Sequence, residues 1–290
     1  MPQKIKVHTL DVFAREEGGG NPAGVVLDAE NLDDEQMRSI AKKVGFSETA
    51  FVVKSKSCDF KVRFFTPSSE VDLCGHATVA VYALLHGLKR LSPGEYTQEV
   101  KAGKLGVSVS PQGQVVMEQT LPHFGACHSP EEIAPLLRVS PETIDQPNLP
   151  IQEVSTGLTD ILVPLSSPKE LDAVRPDFKA MARFNQKTNT IGFHLFAQND
   201  SGKIFCRNFA PLYDIEEEAA TGSSSGALAS YLWKQTPSKP SSFCFTQGVA
   251  MGRASIIEAN LSTHQTRITR VMVGGTARKS GQLTVNLSPF

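Results

Sequence analysis

The chain has 290 residues, 29 basic and 30 acidic side chains, a formal net charge of -1 and 40% hydrophobic residues. That length suits two ordinary cores better than one, and the balanced charge lacks the basic excess of nucleic-acid binders and of proteins held on anionic membranes. No apolar run approaches the roughly 20 residues of a membrane span, and the N-terminus enters a strand pattern directly, so a cytoplasmic protein with no membrane partner is expected.

In chain order, Lys4 to Phe13 alternates as an opening strand, and Gly18 to Gly24 reads as a turn-rich loop before the apolar run Val25-Val26-Leu27. Asp33 or Asp34 caps a helix through about Lys43, with Met37, Ile40, Ala41 and Val44 on its buried face and Gly45 as its stop. Phe46 to Val53 and Phe60 to Phe65 predict strands, and Ala77 to Leu85 a helix apolar nearly all round, hence buried. The Pro-rich, polar stretch from about Leu121 to Pro150 reads as a linker holding a short helix. Strand signals resume at Ile151–Val154 and Ile161–Leu165, followed by a helix near Phe178–Arg183, strands at Ile191–Ala197 and Lys203–Phe209, and a second apolar helix from Ala227 to Trp233. The terminal strand Leu283–Leu287 is a candidate to return to the first half.

One block occurs twice, about 145 residues apart. The first copy is Arg63-Phe64-Phe65-Thr66-Pro67, Glu70, then Cys74-Gly75-His76-Ala77-Thr78; the second is Arg207-Asn208-Phe209-Ala210-Pro211, Glu217-Glu218, then Thr221-Gly222-Ser223-Ser224-Ser225. Each is a strand, a Pro turn, an acidic stretch and a small-residue turn that opens an apolar helix. The repeat predicts an α+β chain of two pseudo-symmetric domains, each a β-sheet or barrel wrapped around a central helix. The expected halves are 1–118, which residues 281–290 could join, and 119–280. A helix start carries unpaired N–H groups and the positive end of the macrodipole, so two such turns facing each other suit a carboxylate.

Within that frame Glu48, at the start of an apolar strand, is the candidate acid/base, because desolvation raises a carboxyl pKa toward neutrality. An exposed strand-end glutamate is the plainer reading. Cys74, Gly75, Thr221, Gly222, Ser223 and Ser224 form the two turns, where glycine permits close approach and hydroxyls either cap the helix or bind an anion. His76 is a candidate for binding substrate, against a structural role. The acidic run Asp214–Glu218 reads mostly as solvated surface, with Glu218 singled out because it lies three residues before Thr221. A thiolate at Cys74 could itself abstract a proton, but Thr221 in the repeat-related place gives it no second thiol. The five cysteines, Cys58, Cys74, Cys127, Cys206 and Cys244, have no CxxC spacing, and the remaining histidines have no ligand-like spacing. No disulfide framework and no metal are expected.

Several of these motifs together resemble one known family. Gly20-Asn21-Pro22-Ala23-Gly24-Val25-Val26, Ser47-Glu48-Thr49-Ala50-Phe51-Val52, Phe65-Thr66-Pro67 with Glu70, Cys74-Gly75-His76-Ala77-Thr78, Ala220-Thr221-Gly222-Ser223 and Gln247-Gly248 with Met251-Gly252-Arg253 are similar, in order, to the phenazine-biosynthesis PhzF-like family. The resemblance implies the diaminopimelate epimerase-like fold, an active site between the halves, no cofactor, a homodimer, and isomerisation by proton transfer at carbon. It places the acid/base glutamate on Glu48, the cleft histidine on His76 and the second-turn serine on Ser223. In the phenazine enzyme of the family the substrate is a dihydro-hydroxyanthranilate. The family's usual Asp-Pro before Ala-Thr-Gly-Ser is here Glu218-Ala219, a longer acid and a looser turn.

The leading expectation is a cofactor-independent isomerase of a small, cyclic carboxylic acid. Two alternatives stand beside it: a Cys74-dependent epimerase or dehydratase of an amino or imino acid, and a non-catalytic carboxylate-binding or interaction module on an inherited fold.

Overall fold

A computed structural model describes residues 3–213 and 215–287; Asp214, named above in the acidic run, and the terminal residues 288–290 lie outside the described residues. The chain divides into two compact units, residues 1–118 with 274–290, and residues 119–273.

Unit 1 begins with β1 (Gln3–Val12) and β2 (Asn21–Val26). The turn is shorter than its Gly-rich sequence suggests, because Asn21 and Pro22 already pair with Val12 and Asp11. Pro22 is tolerated there because β2 gains its second neighbour only from Ala23 onward, so no ladder needs the missing N–H. Helix α1 (Asp34–Val44) follows, with Asp33 and Gln36 forming a capping box and Gly45 closing it in the left-handed region at φ 75°. Its Met37, Ile40 and Ala41 pack with Val7, Val26, Phe51 and Phe65. Next come β3 (Glu48–Val53), β4 (Phe60–Phe65), β5 (Glu70–Val71), the buried helix α2 (Gly75–Gly87), and β6 (Gly94–Val100), β7 (Gly103–Val109) and β8 (Val115–Gln119). Strands β2 and β3 are parallel, β3 to β4 and β4 to β5 antiparallel, and β4 to β6 parallel.

Unit 2 repeats this order with additions. It holds β9 (His123–His128), α3 (Pro130–Leu137), α4 (Pro141–Ile144), β10 (Ile151–Ser155), β11 (Thr159–Leu165), α5 (Pro168–Ala173), α6 (Phe178–Thr188), β12 (Gly192–Gln198), β13 (Ile204–Ala210), β14 (Ile215–Glu218) and α7 (Gly222–Gln235). Strands β15 (Ser242–Gln247), β16 (Ser255–His264) and β17 (Arg267–Gly275) complete it, and β18 (Ala277–Leu287) pairs antiparallel with β1 in unit 1. The parallel pair β11–β12, the antiparallel pairs β12–β13 and β13–β14, and the parallel pair β13–β15 reproduce the unit 1 pattern. Each unit wraps strands around one apolar helix: α2 packs on β1, β2, β3 and β18, and α7 on β10, β11, β15 and β16.

The segment read as a linker is instead part of unit 2. Strand β9 pairs with β10, and Ile133, Ala134 and Leu137 of α3 enter the core around Ile161, Val163, Phe193 and Phe209. Its sequence looked loose because β9 lacks an apolar alternation; it is held by backbone pairing and by Glu153, which accepts from the Ala126 N–H at 3.3 Å and meets His128 Nε2 at 3.0 Å. Among the described residues no helix is long and apolar enough to cross a membrane.

Candidate active site

The repeated block builds the same support in each unit. Arg63 holds Glu70 through two bonds of 2.7 and 2.8 Å, and Arg207 holds Glu217 through two of 2.8 Å. Both guanidiniums lie over a phenylalanine, Phe65 at 5.1 Å and Phe209 at 4.9 Å. Thr78 and Ser225 each donate at 2.8 Å to the carbonyl of the residue preceding their helix, Cys74 and Thr221. Glu217 is therefore spent on structure, which leaves Glu218 as the member of the acidic run beside the second turn.

The central helices, like the single-turn α4, start differently from α1, α3, α5 and α6. Asp33, Ser129, Ser167 and Asp177 each accept a bond from the first turn of α1, α3, α5 and α6. The N-cap side chains of α2 and α7, Cys74 and Thr221, give no such bond. The glycines that follow are not demanded by packing: a Cβ on Gly75 would meet only Met117 Sδ at 3.7 Å, and one on Gly222 only Val273 Cγ1 at 3.8 Å. Side-chain caps are left out where bare backbone is presented, an arrangement suited to an approaching anion.

In unit 1, Glu48 opens β3 and is 17% exposed at its side chain, while His76 is 6% exposed. Glu48 Oε2 lies 3.4 Å from His76 Nε2, and Cys74 Sγ lies 3.4 Å from His76 Nδ1. Burial holds the His76 imidazole below its ordinary range, opposed by the Glu48 carboxylate, so the ring is neutral at neutral pH. With the thiol donating to Nδ1, the ring proton sits on Nε2 and faces the carboxylate; this tautomer is assigned from the contacts. The structure thus gathers Glu48, Cys74, Gly75 and His76 from a strand edge and a helix start.

In unit 2, Thr221 Oγ1 donates to Glu218 Oε2 at 2.7 Å, and Gln247 clamps the turn by accepting from the Thr221 N–H at 3.2 Å and donating to the Glu218 carbonyl at 2.7 Å. Gln119 donates to the Gly222 carbonyl at 3.0 Å, and Thr156 to the Ser223 carbonyl at 3.1 Å. Ser224 does not join the presented surface. It is buried, donates to Asp160 and accepts from Asn208 at 3.1 Å, and Asn208 also contacts His194 Nδ1 at 3.2 Å. The capping or anion-binding role expected for Ser224 is replaced by an anchor beneath the turn. Sequence reading assigned no part to Asp160, Asn208, Gln119 or Thr156; the one visible signal was the polar Asn208 where the first copy carries Phe64.

Strand register aligns the two sets. Thr49 faces Phe65 and Phe193 faces Phe209, while Ala23 faces Glu48 and Asp160 faces Gly192. Gly192 therefore holds the place of Glu48, Thr221 that of Cys74, and Ser223 that of His76. A Cβ on Gly192 would stand 2.2 Å from the Phe209 carbonyl oxygen. The second unit has no room for an acid there.

The chain is similar to known proteins over nearly its whole length. The family model described as phenazine biosynthesis-like protein matches residues 10–281. An uncharacterised isomerase of Escherichia coli K12 is 32% identical over 284 residues, covering 94% of this chain and 96% of its own. The trans-2,3-dihydro-3-hydroxyanthranilate isomerase of Pseudomonas chlororaphis is 31% identical, covering 96% and 98%. The crystal structure of a Bacillus anthracis phenazine biosynthesis protein of the PhzF family superposes with a TM-score of 0.88 at 29% identity, covering 98% and 99%. A hydroxyproline epimerase from Agrobacterium vitis shares the fold at a TM-score of 0.66 and 10% identity.

Proposed function

The chain belongs to the phenazine biosynthesis-like family of isomerases, and we propose that it moves a proton between carbon positions of a small, cyclic carboxylic acid with Glu48 as the sole acid/base. The observation that carries this reading is the buried Glu48–His76 contact at 3.4 Å beside a helix start with no side-chain cap. The Glu48 carboxylate takes a proton from carbon, leaving an enolate-like anion, and the same carboxyl returns the proton to a second carbon. Neutral His76 carries its proton on Nε2, 3.4 Å from the Glu48 carboxylate, and donates it to a substrate oxygen as charge builds there. In unit 1 the helix-start amide at Gly75 suits the substrate carboxylate; unit 2 presents its own polar set, the amides at Gly222–Ser223 with Ser223 and Glu218; no cofactor takes part. Acid/base catalysis supplies about 10²–10⁴-fold, and fixed dipoles aimed at the developing charge supply much of the rest.

Cys74 favours no second reading, because its repeat-related position is Thr221, a poor base. The test is deuterium entry from D2O into carbon positions of a panel of small cyclic and amino carboxylic acids, followed by NMR. Exchange into a cyclic acid is expected. A ligand that binds but never exchanges would mark a binding module instead.

A further inference from the structure

We infer that Glu48, Cys74 and His76 form a binding site for one soft divalent cation of the zinc type. Spacing alone gave no hint of it, since Cys74 and His76 are two residues apart and the third donor comes from a different strand. One ligand atom from each residue lies within 4.8 Å of the others. Glu48 Oε2 is 3.4 Å and Cys74 Sγ 4.0 Å from His76 Nε2. A tetrahedral ion with metal–donor lengths of about 2.0–2.3 Å keeps its donors roughly 3.3–3.8 Å apart, so side-chain shifts of less than about 1 Å complete the shell.

A further feature favours occupation. Glu48 Oε2 is buried and accepts no hydrogen bond, so a lone pair in the cluster is unspent. A thiolate, an imidazole and a carboxylate select zinc over the hard ions magnesium and calcium, and three protein ligands leave a fourth position for water. Unit 2 offers Gly192, Thr221 and Ser223 at the equivalent places, so the stoichiometry is one ion per chain. Resting on the function proposed above, the ion is a competitor: it occupies the lone pair with which Glu48 would take the substrate proton, and so silences the enzyme.

Zinc titrated into the full-length protein against a chromophoric chelator tests the site without reference to turnover. One tight site per chain is expected, weakened more than about tenfold by Cys74→Ser and by Glu48→Gln, and unaltered by replacing the exposed Cys127 and Cys244 with Ser. Cobalt(II) should give a thiolate-to-metal absorption that Cys74→Ser removes. Absence of zinc binding by the wild type, or affinity unaltered in both site variants, overturns the inference. Zinc binding by a protein that, freed of metal with a chelator, binds a small carboxylic acid and exchanges none of its carbon-bound hydrogen would leave this site standing and remove the isomerase reading; exchange without zinc binding does the reverse.

Discussion

The two units share strand order, the Arg–Glu bracket and the apolar central helix, yet they carry different chemistry at the same three places. Unit 1 has Glu48, Cys74 and His76; unit 2 has Gly192, Thr221 and Ser223. Unit 2 keeps a buried carboxylate, but on the neighbouring strand, where Asp160 receives a bond from Ser224 and lies under the turn. The same three places thus hold an acid, a thiol and an imidazole in unit 1, and a glycine and two hydroxyls in unit 2, where a buried anchor lies beneath the turn. The lesson is that pseudo-symmetry of fold does not carry pseudo-symmetry of mechanism, and a symmetric two-base reaction has no residues to perform it at these positions.

The sharpest break of the comparison is Arg207→Met against Arg63→Met. Arg207 is the more buried, with 8% of its side chain exposed against 20% for Arg63, and it also donates to the Leu171 and Val174 carbonyls. Removing it leaves Glu217 and two carbonyls unpaired and should cost about 3–5 kcal/mol by chemical denaturation, with Arg63→Met costing clearly less. Gly192→Ala should destabilise by about 3 kcal/mol, because the added methyl cannot avoid the Phe209 carbonyl; Glu48→Ala should show no such clash. Ser224→Ala removes the hydroxyl between Asp160 and Asn208 and should cost about 1–3 kcal/mol, without loss of the fold.

The smallest effect is on the pH dependence of stability. Burial pushes the Asp160 carboxyl up to about 6, so between its unfolded value of 3.8 and that point the folded chain holds a proton the unfolded chain has lost, and this contribution falls as pH rises. Burial pushes His194 down to about 3 from 6.5, so over that span the unfolded chain binds the extra proton and the contribution rises with pH. The two slopes oppose each other between about pH 4 and 6. Asp160→Asn removes the falling one, and denaturant midpoints should then rise more steeply with pH than in the wild type.

The parts of the fold governed by local rules were legible in the sequence. Helix α1 was readable to its ends because Asp33 and Gly45 are capping residues and its buried face follows the helical period. The central helices were readable because they are apolar and open on the repeated turn. Strand β9 was not, since a strand held by backbone pairs and one glutamate leaves no apolar pattern, and the short helix expected in that stretch gave no sign that it enters the core. At the site, the residue types could be named from the motifs. The approach of Glu48 to His76 depends on a strand edge meeting a helix start, and sequence order does not encode that contact. The Asp160–Ser224–Asn208 anchor was hidden for a related reason: its members are spread over three elements, and each alone reads as an ordinary polar residue.

The most direct test of a single base in unit 1 is solvent deuterium exchange into the substrate carbon by Glu48→Gln and Cys74→Ser measured side by side. The account predicts that exchange disappears in Glu48→Gln and falls by no more than about tenfold in Cys74→Ser. Exchange that survives in Glu48→Gln and vanishes in Cys74→Ser would contradict it and move the chemistry to the thiol.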